Sequence, residues 1–262
     1  MSLTGKTKAN SYKDILNMNN SNSGVDTTTR NVVDGEGTAS AINLSDDVLT
    51  ITPQNDDTTA VFKVTDSDSN SLLAVDSSND LVKAGIGQHI LNTNIKEFAM
   101  DFTEASPDTA DTWHCLTSTF NHTDTNELEM GTGSTPATTL TIANTAYIAV
   151  KHYWFVPFNI SIDSCNVWFG ADAGGGDVVK FSVMSYTVDS GNGSTSGDLS
   201  SGVENCVSPA TISGAGREQI YYQSLTVSTA NVAAGKVILA CVAQDGTNAD
   251  LTVNMQLVYH LR

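Results

Sequence analysis

The chain has 262 residues, with 12 basic and 29 acidic side chains and a formal net charge of −17. That balance repels phosphate backbones and excludes nucleic acid as a partner class. Charged residues make up only 16 % of a chain rich in Ser, Thr, Asn, Asp and Gly, which favours turns and strand faces over long helices.

The charge is uneven. Residues 1–30 hold Lys6, Lys8, Lys13 and Arg30 against Asp14 and Asp26, and the remaining 232 residues carry a net of −19. Within the first segment, residues 1–45, SYKDILNM reads as one short helix. Ser11 caps it, and Asp14 lies near its positive end. Tyr12, Ile15 and Leu16 fall on one face. A helix of about two turns is not stable alone in water, so this face must dock on the rest of the chain or on a partner. Tyr12, Ile15 and Leu16, with the nearby Lys6, Lys8 and Lys13, are the candidate docking residues. A polar run and the glycine turn DGEG at 34–37 follow. MSLTGKTKANSYK has no apolar signal segment. The longest apolar run, Val237–Ala243, is far short of the roughly 20 residues a bilayer requires. A soluble protein made in a cytoplasm, with no membrane partner, is expected.

Residues 46–87 alternate short apolar runs with turn clusters: VLTI, AVFKV, LLAV and LVKAGIG, separated by PQNDD, DSDSN and DSSND. This is a loose repeat of strand plus turn. One copy has too few large apolar side chains to close a core. Several chains winding together solve that, and a homotrimeric β stalk is expected. Phe62, Val64, Leu72, Leu73, Val75, Leu81 and Val82 are the candidate self-association residues. The cluster Asp66, Asp68, Asn70 spaces oxygens as a calcium loop does. Such a loop also needs glycine at its sixth position and glutamate at its twelfth. Those positions are Ser71 and Ser77, so turn chemistry without a metal is expected.

Residues 88–262 form the main domain. Strands are expected at 140–144, 146–156, 158–162, 165–169, 178–188, 220–227, 236–243 and 251–261, with loops at 107–112, 189–203 and 245–249 between some of them. Val179, Phe181 and Val183 alternate with polar neighbours. No long helix is evident. The fold class is mainly β: a short N-terminal helical anchor, a short-strand β stalk and a C-terminal antiparallel β-sandwich of jelly-roll type.

No constellation carries chemistry. Cys115, Cys165, Cys206 and Cys241 form no CxxC pair and read as buried reduced thiols. GSTSG at 193–197 has Thr at its centre, so it is no nucleophile elbow. His114, His122 and His152 share no metal-binding spacing. Glu97, Asp101 and Glu104 read as solvated loop carboxylates, and no acid pair stands out for a glycosidase such as a glycan depolymerase. No cofactor is implied. In WF pairs at 154–155 and 168–169, alternation places Tyr153 and Phe155 on one face and Trp154 on the other. One face packs in the core, and the other is a subunit contact or a sugar platform.

The chain resembles the short virion fibre or decoration proteins of marine tailed bacteriophages, head-fibre-like structural proteins. The resemblance rests on TGKTKANSYKDILNMNNSNSGVDTTTRNVVDGEGTASAINLS at 4–45 and SLLAVDSSNDLVKAG at 71–85. It extends through WFVPFNISID, GAD at 170–172, KFSVMSY and the terminal YHLR. It implies an N-terminal virion anchor, a narrow trimeric stalk and a distal β-domain, without catalysis. The partners it implies are two further copies of the chain and the major capsid protein or another virion component. The alternative is a tail-fibre receptor binder whose loops contact a host surface glycan or protein.

Overall fold

The computed structural model describes residues 16–21, 23–55, 57–85, 89–102, 112–118, 128–142, 146–172, 178–208, 212–213, 219–244 and 250–262. The chain divides into two compact units, Met1–Asn92 and Thr93–Arg262.

The first unit holds two antiparallel sheets. Strands β1 (Asn17–Met18), β2 (Arg30–Val33), β3 (Ala39–Leu44) and β4 (Leu49–Ile51) pair in chain order. Strands β5 (Phe62–Thr65), β6 (Ser71–Asp76), β7 (Leu81–Ala84) and β8 (His89–Ile90) do the same. Aspartates shape the hairpins. Asp34 Oδ1 accepts hydrogen bonds from the backbone N–H groups of Glu36 and Thr38. Asp66 Oδ1 does the same for Asp68 at 2.9 Å and Asn70 at 2.8 Å. These are Asx turns, which need no metal to hold the chain. The helix expected over SYKDILNM does not run through its last two residues. Asn17 and Met18 lie on β1 opposite Val33 and Val32, where β2 satisfies backbone groups that a two-turn helix leaves to water. Ser11–Ile15 fall outside the described residues. The β3–β4 hairpin, with Leu44 opposite Leu49, spans the position expected to divide arm from stalk.

The second unit is built of β9 (Thr93–Phe102), β10 (Thr112–Cys115), β11 (Glu129–Thr132), helix α1 (Ala146–His152), β12 (Trp154–Phe155), β13 (Ile160–Asp172), β14 (Val178–Val188), β15 (Leu199–Val207), β16 (Ile212–Ser213), β17 (Gln219–Val227), β18 (Asn231–Val232), β19 (Lys236–Gln244) and β20 (Asp250–Leu261). All pairings are antiparallel, in the order β11-β10-β19-β14-β15-β17-β13-β20-β9. The ladder curls back on itself: Ala99 on β9 bridges Thr117, just past β10. The main core lies between the run β9-β20-β13-β17 and the run β10-β19-β14-β15. Phe98, Val167, Phe169 and Met255 come from the first, Phe181, Val183, Ile238 and Val242 from the second. The opposite side of β14 and β19 carries Met184, Tyr186, Val237, Leu239 and Cys241 into a second core with Trp113, Met130 and the α1 residues Ile148 and Ala149. Strands covered on both faces read as continuous apolar runs, as KVILACVA does.

Three expectations are corrected in this unit. Residues 146–152 form a helix, not a strand. Ile148 and His152 are both buried and stand one helical turn apart, and Lys151 and His152 complement the negative helix end. Leu199–Val203, expected as loop, begins β15. Glu97 and Asp101 lie on β9 rather than in a loop, while Glu104 falls outside the described residues.

Gly202 marks the closest approach in the second core. A Cβ there would stand 2.6 Å from the Tyr186 ring and 2.8 Å from the Thr138 Cα. The backbone N–H of Gly202 donates to the Thr138 carbonyl, and the Tyr186 hydroxyl donates to the Ala137 carbonyl, so neither neighbour is free to yield. Gly202→Ala is expected to cost about 2 kcal/mol of stability, the scale of overpacking. A chemical denaturation midpoint equal to the parent's would refute this.

Candidate functional site

Among the described residues of the first unit, few apolar side chains are buried: Val32, Val33 and Ala74. Large apolar side chains stand outside instead: Leu49 is 64 % exposed, Leu72 45 % and Phe62 38 %.

In the β5–β7 sheet these side chains are sorted by face. Phe62 pairs with Val75 and Val64 with Leu73; Val75 pairs with Val82 and Leu73 with Ala84. Strand alternation therefore puts Phe62, Val64, Leu73, Val75, Val82 and Ala84 on one face. Leu72 and Leu81 belong to the other. So of the seven candidate self-association residues, the structure gathers five and separates two. Each of the five is half-buried or exposed.

The opposite face is held by charge. Lys83 Nζ lies 2.7 Å from Asp76 Oδ2, whose side chain is buried, and Asn79 donates from both its backbone and its side chain. Burial pushes the Asp76 carboxyl up, but the hydrogen bonds from Lys83 and Asn79 and the Lys83 charge outweigh it and hold it below the ordinary value. A carboxyl depressed in the folded state stabilises the fold above its unfolded pKa, about 3.9, and loses that contribution as pH falls through the lower folded value. Asp26, Asp34 and Asp66 are lowered too, chiefly by hydrogen bonds. Thermal melts are expected to show Tm falling below about pH 4. Asp76→Asn should make that fall shallower; an unchanged slope would contradict this account.

Of the docking residues, Leu16 is exposed and precedes β1. Tyr12, Ile15, Lys6, Lys8 and Lys13 lie outside the described residues, as do residues 107–111 and 245–249 of the expected loops. Asp189–Asp198 is a loop tied by the Asp189 carboxylate, which accepts from Gly191 N–H and the Thr195 hydroxyl.

The second unit shows one exposed aromatic pair that the sequence left unassigned. Trp168 on β13 is 40 % exposed and Tyr222 on β17 56 %. Their ring centroids are 5.1 Å apart with the planes tilted by 51°. The Tyr222 hydroxyl donates to Asn166 Oδ1 at 2.9 Å. Phe169, next in sequence, is buried and stacks on Tyr221. Trp154 packs on the main core and Tyr153 on the second. The signal for Tyr222 was present in the alternation of IYYQSLTV, but alternation does not say which side faces out.

No group of three or more His, Cys, Asp or Glu among the described residues is placed to hold a metal. His152 Nδ1 lies 3.1 Å from the Leu116 carbonyl oxygen, and His260 Nδ1 lies 2.8 Å from Asp163 Oδ1. The four cysteines are buried and free. Cys115 and Cys241 face each other across β10 and β19 with Sγ atoms 3.5 Å apart. Burial, together with Cys241, pushes the Cys115 thiol up, and the Cys206 contact and burial do the same to Cys165. Such thiols are poor nucleophiles. The chain matches no protein-family model and no curated protein.

Proposed function

We propose that the chain is a non-enzymatic virion structural protein of a tailed bacteriophage. It is a homotrimeric fibre or decoration protein, made in the host bacterial cytoplasm. Its N-terminus holds it on the particle, against the major capsid protein or another virion component. The observation that carries the reading is the partly exposed apolar face of Phe62, Val64, Leu73, Val75, Val82 and Ala84. A unit with this face and so few buried apolar residues gains its core from other chains. The second unit we read as a jelly-roll sandwich, an architecture common in viral shells and lectins. In support, its eight principal strands run 1-8-3-6 in one layer and 5-4-7-2 in the other, counting β9 as 1 and β20 as 8.

The test has two parts. Native mass measurement of the whole protein should give three chains, and a monomer would reject the assembly. Labelling of intact phage particles with an antibody against the chain should decorate the capsid. Label confined to the tail would favour the receptor-binding alternative, and an absence of label from all particles would reject both.

A further inference from the structure

The outer face of the β9-β20-β13-β17 layer carries an exposed aromatic pair beside rows of polar side chains. Cross-strand register sets Tyr222, Trp168, Asn254 and Ala99 in one row, and Ser224, Asn166, Gln256 and Glu97 in the next. A groove of about 560 Å³ lies over β9 and β20, lined in part by Lys96, Glu97, Thr117, Ser118, Asn254 and Gln256, and Asn254 stands next to Trp168 across the β20–β13 pairing. That volume falls within the range of about 300–1,000 Å³ usual for small-ligand sites. From β17 to Thr117 is four strand spacings, about 19 Å in all.

The chemistry of this face is selective. In a chain of net charge −17, the outward positions on β20, β13 and β17 in these rows are amides, hydroxyls and aromatic rings. The charges nearby sit on β9. Lys96 donates to the Ser118 carbonyl oxygen, Asp101 accepts from the Thr252 hydroxyl, and Glu97 stands exposed beside Gln256 at the groove. Each amide offers both donors and acceptors. The tilted rings of Trp168 and Tyr222 make an apolar notch with a polar handle, and the Tyr222–Asn166 hydrogen bond holds one wall of it. A pyranose chain presents the complement of this surface, with C–H faces for the rings and hydroxyl edges for the amides. The acidic remainder of the molecule repels anionic sugars.

We infer that this face binds a neutral polysaccharide, with Trp168 and Tyr222 as the stacking platform and Asn254 and Gln256 as hydrogen-bonding groups. The inference goes beyond the virion assignment and stands without it. The experiment is affinity electrophoresis of the full chain in gels containing dextran, laminarin or glucomannan, with alginate as the anionic control. Retardation is expected in at least one neutral gel and none in alginate. Trp168→Ala should weaken that retardation tenfold or more, and Trp168→Phe should keep most of it. Trp168 is at the surface, so neither variant threatens the fold. No retardation by any of the three neutral polysaccharides would overturn the inference. So would retardation unchanged in Trp168→Ala, or a Trp168→Ala protein whose assembled mass differs from the parent's, which would make the face a contact between copies.

Discussion

Leu73→Asp is expected to break the assembly into single chains. Leu73 sits mid-row on β6, between Val64 and Ala84, so its carboxylate would point into the apolar face that the chains are proposed to share. Three copies would each bring a charge with no partner. Leaving a buried charge unpaired costs about 3–5 kcal/mol. That loss at one site alone weakens association about a hundredfold or more. Leu72→Asp is the matched control. It places the same charge one residue away, on the opposite face, where the native side chain is exposed, and the assembly should survive it. Sedimentation of the two variants at equal concentration distinguishes them. If both dissociate, the contact does not respect the face, and if neither does, this face is not the contact.

Phe169→Ala should produce the largest loss of stability in the second unit. The ring is buried at the centre of the main core. It stacks on Tyr221 at 5.2 Å and meets Phe181 at 5.1 Å, so it joins the two layers. Truncating a buried phenylalanine costs about 3–5 kcal/mol, from lost transfer energy and the cavity left behind. A domain holds only about 5–15 kcal/mol in total. The variant should therefore melt far below the parent or fail to accumulate. Trp168→Ala, its neighbour on the outward side, should stay within about 1 kcal/mol. Calorimetry of the pair checks the assignment of inside and outside, and equal losses would contradict it.

Long apolar strands were the legible part of the fold. VVKFSVMSYTV at 178–188 coincides with β14 through its period-two alternation, and KVILACVA lies within β19, where burial on both faces leaves an unbroken apolar run. Strands with small or polar outward residues were not legible. RNVV and ASAINL lay in the N-terminal arm with no strand expected, and the first half of LSSGVENCV was read as loop, since Ser, Gly and Asn on a solvated face look like turn residues. The helix at 146–152 misled in the other direction. Its Tyr, Ile and Val favour strands locally, and only packing against the second core selects the helix. Five of the seven candidate self-association residues share one face, and strand alternation alone gives that sorting. Leu72 and Leu81 fall on the other face, and were grouped with them because apolar character was read without strand phase. Trp168 was seen in the sequence, but its partner Tyr222 stands 54 positions on, across a pairing that no local pattern announces.

The pairing of β9 with β20 bears on how the protein is made. Thr93–Phe102 finds its ladder partner in Leu251–His260, and β20 also supplies the central neighbour of β13. Until Leu261 has left the ribosome, two long strands of the second unit stand without their shared neighbour. Such distant pairing slows folding, and unpaired strand edges invite aggregation meanwhile. The first unit, all hairpins between successive strands, forms its local pairings during synthesis. The second completes its sheet only once β20 has emerged. High-level expression at elevated temperature should therefore drive the chain into inclusion bodies through its second unit, and slower synthesis in the cold should favour soluble material.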